Sequence, residues 1–130
     1  MENKGYLKHI HPVLPVQNVV AALFFYVNKL GFDILFADDP DEPKYAGIAR
    51  DGIQIHLQWH DAKEWEVEVD RPMLRIETEN VDALFTELNE KEVFHQDTKL
   101  INSQWGTREF GFYDLYKNGL IFYTNLTSTT

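Results

Sequence analysis

The chain writes one stretch of itself twice. Asn18-Val19-Val20-Ala21 opens an amphipathic segment, Asn80-Val81-Asp82-Ala83 opens another 62 residues later, and at the same offset Phe32 answers to Phe94. Val19, Ala22, Leu23, Tyr26, Val27 and Leu30 recur at the three-and-four spacing of one helix face, and Val81, Leu84, Phe85 and Leu88 repeat it. Asn18 and Asn80 each stand where a short polar side chain accepts the orphan N–H groups of a first turn. Gly31 stands where a helix ends in left-handed backbone. With 130 residues there is room for about one domain. The repeat leaves open whether the two halves pair within one chain or across a dimer.

The flanks repeat as well. A strand over Tyr6–Pro15 precedes the first helix, and strands over Phe32–Asp38, Tyr45–Arg50 and Ile53–Trp59 follow it, the last two joined by the hairpin dipeptide Asp51-Gly52. The second helix is preceded by Pro72–Thr78. It is followed by a weak strand near Val93–His95, then Trp105–Asp114 and Gly119–Asn125. Each half reads βαβββ, with modules of about 1–62 and 63–130 and the charged stretch His60–Arg71 as the connection. The expected fold is α+β: two curved sheets, each with a helix on its outer face, forming a half-open barrel around a cavity. The polar tail Thr127–Thr130 is expected to fray.

Strand alternation sorts side chains by face. Ile10, Pro12, Leu14 and Val16 form the helix-facing set of the first strand, leaving His9, His11 and Val13 for the cavity. Ile53, Ile55, Leu57 and Trp59 pack under the helix, so Trp59 is expected to act on stability, and Gln54, His56 and Gln58 take the other side. In the second half Leu74, Ile76, Phe110, Phe112, Leu120 and Phe122 pack. Met73, Arg75, Glu77, Glu109, Gly111, Tyr113, Ile121 and Tyr123 face inward. Trp65 and Trp105, near strand ends, are expected to form an aromatic rim. The candidate ligand-binding set is therefore His11, His56, Gln58, Trp65, Arg75, Trp105, Glu109, Tyr113 and Tyr123, with Arg75 expected to pair with Glu109 or Glu77 or to hold a ligand's anionic group. His9, His60 and His95 are expected to be exposed. Such a lining suits an amphiphilic or charged small molecule.

Composition excludes several alternatives. There is no cysteine, so thiol catalysis, disulfides and Cys-ligated zinc are ruled out. A net charge of −9 argues against a nucleic-acid partner. No apolar run reaches the roughly 18 residues of a membrane span, and a cytoplasmic location is expected. His11 and His56 are the metal candidates, but a stable site needs further ligands, for which Glu109 and Glu77 are the available carboxylates.

His11-Pro12-Val13-Leu14-Pro15-Val16, the helix ending Phe25-Tyr26…Leu30-Gly31-Phe32, and Trp105-Gly106-Thr107-Arg108-Glu109-Phe110 resemble the glyoxalase/bleomycin-resistance/extradiol-dioxygenase, or vicinal oxygen chelate, superfamily. Asp114-Leu115-Tyr116-Lys117-Asn118 stands where the family usually has Asp-Pro-Asp-Gly-Asn, so Leu115 and Lys117 are departures. The resemblance implies metal ligands on the first and last strands of each module. His11 and His56 match in the first; Met73 and Ile121, or Tyr123, stand there in the second. With half the ligand set missing, the resemblance points to the bleomycin-resistance branch: a homodimer, arms or helices possibly exchanged, that binds and sequesters a small amphiphilic or cationic compound in its crevices without a cofactor. The alternative is a divalent-metal lyase or dioxygenase using His11, His56 and Glu109.

Overall fold

The computed structural model describes residues 4–71 and 73–126. Strand β1 (Val13–Val16), helix α1 (Val19–Asn28) and strands β2 (Asp33–Ala37), β3 (Tyr45–Arg50) and β4 (Ile53–Trp59) make the first half. Strand β5 (Met73–Glu77), helix α2 (Val81–Asn89) and strands β6 (Ile101–Asn102), β7 (Thr107–Tyr113) and β8 (Gly119–Asn125) make the second, after a single 3₁₀ turn at Ala62–Trp65. Two four-stranded mixed sheets result, in the orders β1-β4-β3-β2 and β5-β8-β7-β6, with the first strand of each running parallel to the last. The two helices begin alike: the Ala21 N–H donates to Asn18 Oδ1 at 2.9 Å, and the Ala83 N–H to Asn80 Oδ1 at 3.0 Å. Gly31, at φ 76°, closes the first helix.

Leu14, Val16, Tyr26, Ile55 and Leu57 from the first half and Val81, Leu88, Phe110, Phe112 and Leu120 from the second belong to one buried core. The halves are tied by polar contacts as well. Buried Tyr26 donates its hydroxyl to Asp114 Oδ2 at 2.7 Å. Asp114 also accepts the backbone N–H groups of Tyr116 and Asn118 and the Asn118 amide. Asn118 crosses back to the Pro15 carbonyl at 2.9 Å. Burial, reinforced by the Asp114 charge and its hydrogen bond, raises the Tyr26 phenol well above its ordinary pKa. A second tie is Arg50, which donates to the Leu30 carbonyl and to both carboxylate oxygens of Glu87.

The structure corrects several expectations. The first strand is only Val13–Val16, and Ile10 is 93% exposed instead of packed. Pro12 still accepts the His56 N–H but has no N–H to carry the ladder further. Trp59 is 41% exposed and lies under Lys44 Nζ at 4.5 Å, because alternation assigns a face but not whether anything covers its last rung. Residues 93–95 form a loop, not a strand. Phe94 turns inward against Phe85, Phe110 and Phe112, while side chains meet the edge of β7: Tyr113 N–H donates to His95 Nε2, and the Thr98 hydroxyl to the Gly111 carbonyl. The expected tail Thr127–Thr130 and the first residue of the expected Pro72–Thr78 strand lie outside the described residues.

Lys117 occupies the turn's glycine position at φ 69°. Left-handed backbone costs an L-residue roughly 1–2 kcal/mol, partly offset in a glycine variant by extra chain entropy on unfolding, so Lys117→Gly is expected to raise stability by about 0.5–1 kcal/mol. The urea midpoint measures it; an unchanged or lower midpoint would contradict the strain.

Candidate ligand-binding faces

The first face is the side of β1–β4 turned away from α1. Its centre is His56, which sits between Val13 of β1 and Gly47 of β3. The Phe36 ring lies over Gly47, where any Cβ would overlap it. Around His56, Phe36 approaches edge-on at 5.2 Å, Tyr45 at 5.4 Å, and His11 stacks at 5.1 Å with His9 behind it at 5.8 Å. Both His56 ring nitrogens are engaged: Tyr45 Oη lies 2.8 Å from Nδ1, and Gln54 Nε2 lies 2.9 Å from Nε2. With the Gln54 amide donating, the neutral ring carries its proton on Nδ1 and gives it to Tyr45. Gln58, further along β4, turns its amide oxygen to His60 at 3.0 Å.

Burial, and then the charge of His11, lower the His56 pKa. A histidine depressed in the folded state contributes stability that is present above the unfolded value of about 6.5 and lost as pH falls toward the folded one. Thermal scans are expected to show wild type losing more stability than His56→Gln between about pH 6.5 and 5; parallel losses would remove the assignment.

The second face belongs to β5–β8. The Arg75 guanidinium reaches the Glu109 oxygens at 3.2 and 3.5 Å and lies over the Tyr123 ring at 4.6 Å. Thr107 donates its hydroxyl to Glu109 at 2.6 Å. Burial pushes the Glu109 carboxyl up, but Thr107, Arg75 and the Trp105 indole outweigh it and hold the group below the usual carboxylate range. Beside this cluster a cavity of about 540 Å³ is lined by Met73, His95, Ile101, Glu109, Tyr113 and Ile121. It lies over Gly111, where a Cβ would crowd Ile121 at 3.1 Å.

The candidate residues thus fall into groups. His11, His56 and Gln58 lie on the first face; Arg75, Glu109, Tyr113 and Tyr123 lie on the second. Among the described residues no hydrogen bond, ion pair or ring contact joins the two sets. Trp105 is 69% exposed in the turn before β7, at the edge of the second face. Trp65 belongs to neither: its indole N–H donates to the Tyr116 carbonyl, and its ring lies under Arg71. Phe36, Tyr45 and His95 were missed. A bulge between Ile34 and Phe36 shifts the register so that Phe36 pairs with Gly47, on the His56 face, instead of with Ala46 in the core. Alternation alone does not reveal such a shift.

The donors do not fit a divalent metal. His56 has both nitrogens occupied, and Glu109 is committed to Arg75 and Thr107 on the other sheet. Among the described residues no group of three or more His, Asp or Glu side chains is placed to hold an ion.

No protein-family model matches the chain. A bleomycin resistance protein of Geobacillus stearothermophilus is 27% identical over 132 residues, spanning 90% of this chain and 96% of that one. The bleomycin-binding protein of bleomycin-producing Streptomyces verticillus, solved with copper(II)-bleomycin, is 26% identical, with a TM-score of 0.68 over 90% of this chain and 97% of that one. Over nearly its whole length, then, this chain is similar to bleomycin resistance proteins. A member of the glyoxalase/bleomycin resistance/dioxygenase superfamily from Sphaerobacter thermophilus DSM 20745 shares the fold at 23% identity, with a TM-score of 0.67 over 92% of this chain and 98% of that one. The two βαβββ units are the superfamily fold that the residues resembled. Lys117, at the turn position where the resemblance expects glycine, has left-handed backbone.

Proposed function

We propose that this protein binds and sequesters a bleomycin-type ligand, an amphiphilic cationic small molecule, in crevices formed between two copies, without a metal or other cofactor of its own. The observation that carries the reading is the pair of open concave faces, one aromatic and one an Arg-Glu-Tyr cluster beside a cavity, in a chain matched over nearly its whole length by bleomycin resistance proteins. Each face alone is half a site. Phe36 (41% exposed), Met73 (45%) and Tyr113 (48%) stay uncovered in one chain, as is Ile10 on the segment before β1. A second copy laid across these faces covers them and encloses a guest. The charge of −9 draws in a cation, and a cytoplasmic location is where sequestration of an entering drug is useful. No helix among the described residues is long and apolar enough to cross a membrane.

Isothermal titration with metal-free and copper(II)-loaded bleomycin tests the reading. A Kd of about 1 μM or tighter, at one ligand per crevice and weakening with salt, is expected. No binding to either form overturns it. So does a stoichiometric divalent ion in chelator-free protein that disappears in His11→Ala, which would restore the metalloenzyme alternative.

A further inference from the structure

A second cavity, of about 450 Å³, opens where the β3–β4 hairpin meets α2 and the end of β5. Its floor is the buried set Leu30, Phe32, Leu88 and Phe122 with half-buried Leu84, and exposed Asp51, Glu77 and Glu79 stand at its mouth. Glu77 ends the row of Met73 and Arg75 on β5 and accepts the Asn125 amide at 3.2 Å; the other residues belong to neither face. Arg50 also borders it: its guanidinium holds the Leu30 carbonyl and the two oxygens of Glu87, and its Nε pairs with Asp51 at 3.4 Å, which leaves Glu77 and Glu79 without a cationic partner among the described residues.

The internal repeat explains why this space is open. Leu88 lies 62 residues after Tyr26, at the same place on the second helix. In the other half the corresponding niche is filled from within, because Tyr26 inserts a phenol and the five-residue turn Asp114–Asn118 closes over it, with the hydroxyl donating to a carboxylate at 2.7 Å. Here the helix carries Leu88, one ring shorter, and the hairpin is the two-residue turn Asp51-Gly52, too short to fold over the gap. The chain thus contains a filled and an unfilled version of one niche, and the filled version shows what fits: an aromatic ring whose polar end donates to a carboxylate.

We infer that this cavity is a second small-molecule site, separate from the concave faces, that takes a small arylalkyl-ammonium ion, its ring on Leu84, Leu88 and Phe122 and its ammonium among Asp51, Glu77 and Glu79. The volume lies within the usual 300–1,000 Å³ range of ligand pockets, apolar walls with a few convergent polar groups are their usual lining, and three carboxylates favour the charged donor over a neutral phenol.

Titrating the full-length, isotope-labelled protein with phenethylammonium, and with neutral phenylacetamide as the control, tests it by methyl and amide NMR. Saturable shifts centred on Ile53, Leu84 and Leu88 are expected, with phenylacetamide at least fivefold weaker. Leu88→Tyr, which fills the niche as Tyr26 fills its counterpart, is expected to abolish the shifts and leave bleomycin binding unchanged. Should Leu88→Tyr fail to fold, Glu79→Gln serves instead, with phenethylammonium weakened at least threefold and phenylacetamide unaffected. Absence of saturation, shifts confined to the His56 or Tyr113 faces, or equal affinity for amine and amide would each overturn the site. Contacts from Tyr6 or Leu7 of a second copy to Leu88 in the free protein would overturn it too, by showing the cavity already occupied.

Discussion

Replacing Asp114 with alanine is expected to cost about 3–5 kcal/mol of stability, since it strands several buried donors at about 1–3 kcal/mol each. The carboxylate accepts the Tyr26 hydroxyl, two backbone N–H groups and the Asn118 amide. Tyr26 is 1% exposed and Asn118 fully buried, so neither recovers its bond from water. The same residues join the halves, because Asn118 holds the Pro15 carbonyl and Tyr26 lies on α1. The loss is therefore expected to fall on the whole domain, with one unfolding transition at a lower denaturant midpoint. Tyr26→Phe, which removes a single hydroxyl, is expected to cost less than half as much. If Asp114→Ala unfolds within 1 kcal/mol of wild type, the turn is ornamental and the halves are held by apolar contact alone.

The fold was largely legible because its signals are local and written twice. Two asparagine caps, two helical stripes and the Asp51-Gly52 turn each specify backbone within a few residues, and the structure has all three. Alternation likewise placed His56, Arg75, Glu109 and Tyr123, and the expected Arg75–Glu109 pair forms. What escaped depends on relations between distant residues. Phe36 reaches the first face through a bulge whose only trace in the sequence is Gly47 on the facing strand, making room for a ring. His95 reaches the second because a loop, not a strand, meets the edge of β7 there. Trp65 was assigned to a rim by its position near a strand end, yet its indole meets the Tyr116 carbonyl 51 residues away, a contact no periodicity reports.

That the concave residues fall into two separate sets leads to the sharpest test of the proposed crevice. If each crevice joins the first face of one copy to the second face of the other, then Tyr45→Ala and Tyr123→Ala damage every crevice in their own homodimers. Each is expected to weaken bleomycin about tenfold or more, a loss of about 1.4 kcal/mol, in the range of an aromatic or cation–π contact at an enclosed site. Tyr45 stacks on Phe36 and bonds His56, and Tyr123 carries the Arg75 guanidinium, so each variant disturbs one face and leaves the other intact. When the two variants are mixed and allowed to exchange subunits, half the dimers become heterodimers. In each, one crevice carries both lesions and the other carries neither. By this symmetry about a quarter of all sites should regain wild-type affinity, appearing as a tight phase in the titration. A site built within one chain predicts no recovery at any mixing ratio, because every chain carries a lesion. A tight phase absent after proven exchange would therefore sink the shared crevice while leaving the fold and the binding itself untouched.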